Sequence, residues 1–305
     1  MKNFWMLCLL VLVMLQVSCS QIGSGAAAGG RSSGVVVLDI GHFIGAGGAV
    51  TPSAVNGKQI SECSWWYQYV YYTKKKIEDA GYRCIVTNRG NAPTTEPLAS
   101  YARRAGVVQL NHPDKNGARY PSEYHPDRVA GGMVSADYAI SRKADCVVFL
   151  HHNSSGGWTN GPSPSLIICN KYNGNRLGKT LARTMERLIL NKEMNNGGRG
   201  CSVMVRSKDA DRSAGWMNAC DDSGIPAAVI ECAFLNNRHH AAYLADDDNA
   251  RRYAEAIGAG IVNYMRYFGN EKRHYRANEN KADEGSFGYA AESRRLNVPG
   301  AKKLL

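Results

Sequence analysis

The chain has 305 residues, a formal net charge of +11 and a hydrophobic fraction of 44%. That apolar content excludes an intrinsically disordered chain and is enough for a sizeable core. The dispersed positive charge suits an anionic polymer or a membrane surface, and with no zinc-knuckle spacing, basic heptad region or aromatic RNA-binding signature, nucleic acid is not the expected partner.

Lys2 precedes an apolar run from Phe4 to Val17 that ends in the small residues Ser18, Cys19 and Ser20, the three parts of a secretory signal. The run falls short of the roughly 20 residues a bilayer core requires. Residues 1–20 are therefore expected to be a removable signal rather than an anchor. Two routes stay open: cleavage before Gln21, or lipoprotein processing that leaves a lipid on Cys19, where Leu15-Gln16-Val17-Ser18-Cys19 is an imperfect lipobox with Gln16 in an aliphatic place. Both routes export the protein, to the periplasm or the cell envelope. Residues 21–33, rich in Gly, Ala and Ser, read as a flexible linker, residues 34–268 as one folded domain, and residues 269–305 as a polar, basic, disordered tail.

Val35 to Ile40 is a short β-branched run bounded by Gly34 and Gly41, which suits a buried central strand that delivers His42 into a glycine-rich loop. Cys63, Trp66, Val70, Ile77 and Ala80 recur at helical steps, predicting a helix from Glu62 to Ala80 stopped by Gly81. Tyr82 to Thr87 alternates as a second strand, so strand, helix and strand form a right-handed parallel crossover. Residues 91–133 carry many prolines and glycines and no sustained periodicity beyond a short helix around Pro97 to Ala105. So long an irregular segment is expected to shape or cover a cleft.

Ser135 to Lys143 reads as a helix, and Asp145 to Leu150 as a buried strand ending in His151-His152-Asn153. Further strands are predicted at Ser165 to Cys169 and at Pro226 to Glu231, with amphipathic helices over Asn175 to Leu190 and Asn249 to Phe268. Of nine cysteines, the seven beyond the signal are an odd number without a CxxC pair, so no disulfide connectivity can be read. Cys146 and Cys232 lie in apolar runs and are expected to pack as small hydrophobes.

Three predicted strands thus end in His42, His151 and Glu231, and in a parallel sheet all strand C-termini share one edge, which the N-terminal residue Glu62 of the first helix also faces. Two imidazoles and a carboxylate form a common catalytic zinc set with a fourth position open to water, whose pKa zinc lowers to about 7. A nearby unligated carboxylate, Glu231, is placed to move the proton. Each residue has a plainer reading as well. His42 could be a loop histidine bonded to backbone, Glu62 a helix-dipole partner, and Glu231 a structural carboxylate paired with an arginine. His152 is expected beside the site or on the surface. Asp39 is expected to orient a ligand histidine or to stabilise the turn, and Asn153 to orient substrate or cap its loop.

Four motifs in order, Val37-Leu38-Asp39-Ile40-Gly41-His42, Glu62 at a helix start, Phe149-Leu150-His151-His152-Asn153, and Pro226-Ala227-Ala228-Val229-Ile230-Glu231 running on to Asn236-Asn237, resemble the zinc-dependent N-acetylmuramoyl-L-alanine amidases of the type 3 class. The resemblance implies an α/β fold, a single domain with a central, mostly parallel sheet flanked by helices on both faces, and makes residues 34–268 its catalytic domain. It implies His42, Glu62 and His151 as ligands of Zn2+, and Glu231 as general base and acid. The implied reaction is hydrolysis of the amide joining N-acetylmuramic acid to L-alanine in peptidoglycan, the implied partner. The chain departs from the family pattern at Ser135 and Ile140, where an arginine and an asparagine are usual, and at His152 and Cys232, where small or hydroxyl residues are usual. Two other readings share the metal set or the fold: a zinc carboxypeptidase trimming stem peptides, and a wall-binding lipoprotein without turnover. Oligomeric state is not legible in the sequence.

Overall fold

A computed structural model describes residues 34–44, 48–89, 92–110, 135–161, 163–171, 174–194, 200–206 and 215–269. The predicted signal, the linker, the tail beyond residue 269 and the 111–134 part of the irregular segment lie outside the described residues. Among the described residues, no helix is long and apolar enough to cross a membrane.

Among the described residues, seven strands form one sheet: β1 (Val35–Ile40), β2 (Arg83–Arg89), β3 (Val107–Leu110), β4 (Cys146–Leu150), β5 (Ser165–Asn170), β6 (Cys201–Arg206) and β7 (Ala227–Glu231). Their spatial order is β3-β2-β1-β4-β7-β5-β6. Every pairing is parallel except that of β5 with β7, so the sheet is mixed but mostly parallel. The predicted crossover is present, with β1 and β2 in parallel register from Val35↔Arg83 to Asp39↔Thr87. β1, β4 and β7 are buried almost throughout, as expected of strands covered on both faces.

The helices are α1 (Glu62–Glu78), α2 (Leu98–Ala105), α3 (135–141), α4 (Gly174–Met185), which runs into a π-helical turn (Glu186–Leu190), α5 (Gly215–Asp222), α6 (Arg238–Ala245) and α7 (Asp247–Phe268). One face of the sheet packs Val36, Leu38, Val148 and Ile230 against Trp66, Val70 and Ile77 of α1, Leu181 of α4 and Ile257 of α7. The other packs Val37, Val147, Phe149 and Val229 against Ala136 and Ala139 of α3 and Met217 and Cys220 of α5. Helices thus cover both faces, and each large apolar side chain buried between layers contributes about 1.5–3 kcal/mol.

Four elements were not anticipated. β3 is a four-residue edge strand inside the segment read as irregular, and β6, α5 and α6 carry too few periodic apolar positions to stand out. The antiparallel insertion of β5 was likewise unread, because alternation of side chains says nothing of strand direction. Cys146 and Cys232 are fully buried, as expected, and the seven cysteines of the described residues are all free thiols.

The strand order places the site. From β1 the chain steps outward to β2 and β3, then returns on the opposite side of β1 with β4. The loops leaving β1 and β4 therefore diverge and open a crevice at the C-terminal edge, the usual ligand position in open α/β sheets.

Candidate metal centre

His42 leaves β1 with a φ of 62°, in the left-handed region that side chains beyond Cβ normally avoid. Asn88 of β2 holds this bend. Its Nδ2 donates to the Ile40 carbonyl at 2.8 Å and to the His42 carbonyl at 2.7 Å, and its Oδ1 accepts from the Tyr67 hydroxyl at 2.8 Å. His151 follows β4, its backbone N–H donating to the Ile230 carbonyl of β7 at 3.1 Å. Glu62 opens α1 with its side chain only 2% exposed. One carboxylate oxygen accepts from the Ala49 N–H at 2.7 Å, the other from the His152 N–H at 2.9 Å. The helix start is thereby pinned to both loops that bear histidines.

The three expected ligands converge. His42 Nε2 lies 3.3 Å from Glu62 Oε2, His151 Nδ1 lies 2.9 Å from Glu62 Oε1, and one donor atom from each of the three residues falls within 4.8 Å of the others. Burial works to raise the pKa of Glu62, but hydrogen bonds and charge from His151 and His42 outweigh it and hold the carboxyl well below its ordinary range. It is an anion facing two imidazoles. The histidine side chains keep 29% and 18% of their surface, so the cluster opens toward solvent.

Two glycines make room. A Cβ on Gly41 would stand 2.5 Å from His151 Cε1 and 2.7 Å from the Leu150 carbonyl oxygen. Gly48, at φ 82°, would carry one 2.7 Å from both Glu62 Oε2 and His42 Cδ2. Gly41 and Gly48 therefore approach the cluster closely because they carry no side chains.

A tetrahedral zinc with bonds of about 2.0–2.1 Å holds its donors about 3.3 Å apart. The His42–Glu62 Oε2 contact lies near that spacing, one donor atom from each of the three residues falls within 4.8 Å of the others, and two imidazoles with one carboxylate, open on one side, suit a divalent ion of zinc's character.

Glu231 ends β7, whose register with β4 (Leu150↔Ile230) sets it beside His151. Its Oε2 is buried without a hydrogen-bond partner among the described residues. Burial, with the negative Glu62 and the Cys232 thiol nearby, pushes its pKa well above the ordinary carboxylate value. Among the described residues no arginine forms an ion pair with it.

The neighbouring expectations are corrected in part. Among the described residues Asp39 bonds no histidine. It is fully buried, and its Oδ1 accepts from Thr87 Oγ1 at 2.9 Å and Ser135 Oγ at 2.5 Å, tying β1 to β2 and to α3. His152 is not on the surface. Its ring, 1% exposed, stacks on Trp66 with centroids 5.1 Å apart and meets Trp65 edge-on at 4.7 Å, and only its backbone touches the cluster. Burial pushes its pKa down to about 3, so the ring is neutral. Asn153 caps its own loop, Oδ1 accepting from the Ser154 N–H at 2.8 Å. Asn88 was missed, since its role depends on lying in the strand beside His42 rather than near it in sequence.

The family model for N-acetylmuramoyl-L-alanine amidase matches residues 36–263. Similar solved structures include the CwlD amidase of Clostridioides difficile in complex with the GerS lipoprotein, at 18% identity and a TM-score of 0.49 over 77% of this chain and 99% of that one. The catalytic domain of CwlV from Bacillus (Paenibacillus) polymyxa var. colistinus gives 17%, 0.43, 76% and 98%, and Ami1 of Mycobacterium abscessus 17%, 0.44, 77% and 100%. No curated protein matches the chain. With a family match that begins inside β1, ends inside α7 and takes in every element of the cluster, this chain belongs to the N-acetylmuramoyl-L-alanine amidase family.

Proposed function

We propose that the protein is an exported, zinc-dependent hydrolase of the amide between N-acetylmuramic acid and L-alanine in peptidoglycan. The observation that carries this reading is the convergence of His42, Glu62 and His151 within 4.8 Å, beside a buried Glu231 whose Oε2 has no hydrogen-bond partner among the described residues. His42, Glu62 and His151 would hold the ion, which when bound supplies Lewis acidity toward water and the amide carbonyl.

The remaining work falls to the chain's own groups. Glu231 accepts a proton from the attacking water and delivers it to the departing L-alanyl nitrogen, so that peptide leaves as an amine and the lactyl group as a carboxylate. Its partnerless Oε2 leaves the carboxyl free for that exchange. Glu62 is unsuited to the same task, since both its oxygens already accept hydrogen bonds. The positive net charge favours association with an anionic wall. Residues 1–20 supply export, by signal cleavage or by a lipid on Cys19, and residues 34–268 are the catalytic domain.

Mass analysis of digested muropeptides, together with metal content, tests the proposal. Free stem peptide plus peptide-free glycan, from protein holding about one equivalent of zinc, is the expected result. A stem shortened from its C-terminus would reassign the protein as a carboxypeptidase, and zinc-bound protein that sediments with sacculi but releases no amine would make it a binding protein.

A further inference from the structure

The loops that carry His42, His151 and Glu231 meet again at Trp158. The segments after β4 and β7 run side by side, with bridges at Asn153–Phe234 and Thr159–Asn237. Asn236 and Asn237, both buried, pin them. Asn236 bonds Ser155 and Gly157, and Asn237 bonds Gly161 and Ser163. Trp158 Nε1 donates to Ser53 Oγ of the loop after β1 at 3.1 Å, and the Arg238 guanidinium lies 4.7 Å above the indole ring centre. Arg238 is exposed, and among the described residues its guanidinium pairs with no carboxylate.

Stacking on an aromatic face fixes the plane of a guanidinium while leaving its N–H edge free, the arrangement that suits bidentate recognition of a carboxylate. Trp158 stands seven positions beyond His151, and Arg238 seven beyond Glu231, at most about 25 Å of extended chain. A five-residue peptide spans about 17 Å. Stem peptides present free carboxylates beyond their first amide. We infer that Arg238, held on Trp158, recognises a stem-peptide carboxylate and gives this protein a preference for acidic over amidated stems. The inference rests on the amidase reading for the identity of the peptide. It assigns Arg238 to specificity and not to the hydrolytic step.

The test uses full-length protein carrying Glu231→Gln, loaded with zinc and titrated calorimetrically with a soluble muropeptide in free-acid and amidated forms. The acid form should bind about tenfold more tightly, the lower end for a charge-assisted pair at an exposed site. Arg238→Ala should bring the acid-to-amide ratio close to one, and Arg238→Lys should keep part of it. With Glu231 restored, Arg238→Ala should raise KM for the acid form by a similar factor and leave kcat unchanged. A ratio that Arg238→Ala does not alter overturns the inference, as does failure of both muropeptides to bind. Wild-type protein that shows the ratio but releases no stem peptide would sink the amidase reading and leave the carboxylate site standing.

Discussion

Replacing Glu231 with glutamine separates proton transfer from metal binding. The substitution keeps the shape of the side chain and removes its ability to accept and return a proton, a role worth about a hundredfold to ten-thousandfold in rate, or about 3–5 kcal/mol of transition-state stabilisation. His42, Glu62 and His151 are untouched, so zinc content should stay at the wild-type level. Stability should move in a specific direction. Glu231 is neutral in the folded metal-free protein well above 4.5, where the unfolded chain has already ionised it. Its contribution to stability is complete below that pH and is lost as pH rises toward the folded value. Glutamine carries no such penalty, so the metal-free variant should gain on wild type in urea unfolding between pH 4 and pH 8. The assay pairs muropeptide release with metal analysis and urea titrations at both pH values. A variant that hydrolyses at more than a tenth of the wild-type rate, or that loses its metal, would refute the assignment.

Gly41→Ala places a methyl group against His151 and should lower metal affinity at least tenfold in chelator competition, while costing about 1–3 kcal/mol in stability from overpacking. Asn88→Ala removes the donors to Ile40 and His42 without touching any donor atom of the cluster. It should cost about 1–3 kcal/mol and weaken metal binding, whereas unchanged affinity would show that the bend at His42 holds itself. His152, pushed down from 6.5 to about 3, takes up its proton more readily unfolded than folded, so stability should fall as pH drops through that window, by about 1.4 kcal/mol per pH unit. His152→Phe keeps the aromatic packing and should flatten that acid limb in pH-dependent urea unfolding. An unaltered limb would place the loss elsewhere, His240 being, among the described residues, another histidine that burial depresses, to about 4.

What the sequence made legible follows from how local each signal is. The runs of β1, β4 and β7 are apolar through both faces, and His42, His151 and Glu231 stand at or just past their ends, so the three positions stood out there, each with a plainer reading beside it until the resemblance to the type 3 amidases gave them roles. The place of Glu62 at the first turn of a periodic helix equally suits a partner of the helix dipole, and the resemblance alone singled it out as a ligand. Asp39 misled because its partners, Thr87 and Ser135, are 48 and 96 residues away, and a buried carboxylate takes whichever hydroxyls the sheet brings to it. His152 misled for a related reason. Alternation turned it away from its neighbour, but the cage of Trp65, Trp66 and Tyr253 that receives it is built by α1 and α7. β6 went unread because an edge strand of half-buried residues has no unbroken apolar run, and the eight residues of α6 are too few for a helical period to emerge.

The same logic explains why the cluster is sensitive to register as well as to composition. A slip of β7 by one residue against β4 would turn Glu231 to the opposite face of the sheet, whatever residues flank it. What prevents the slip is the burial of Ile230 with Leu150 on one face and Val229 with Phe149 on the other, so apolar packing sets the position of the carboxylate. That packing also makes Glu231 dry, and dryness keeps it neutral beside the anionic Glu62. A divalent cation at His42, Glu62 and His151 would offset the negative charge of Glu62 and draw the pKa of Glu231 down toward the working pH. The core that fixes the carboxylate and the cluster that sets its charge therefore act on one group, and the basicity of Glu231 is tied to occupancy of the site beside it.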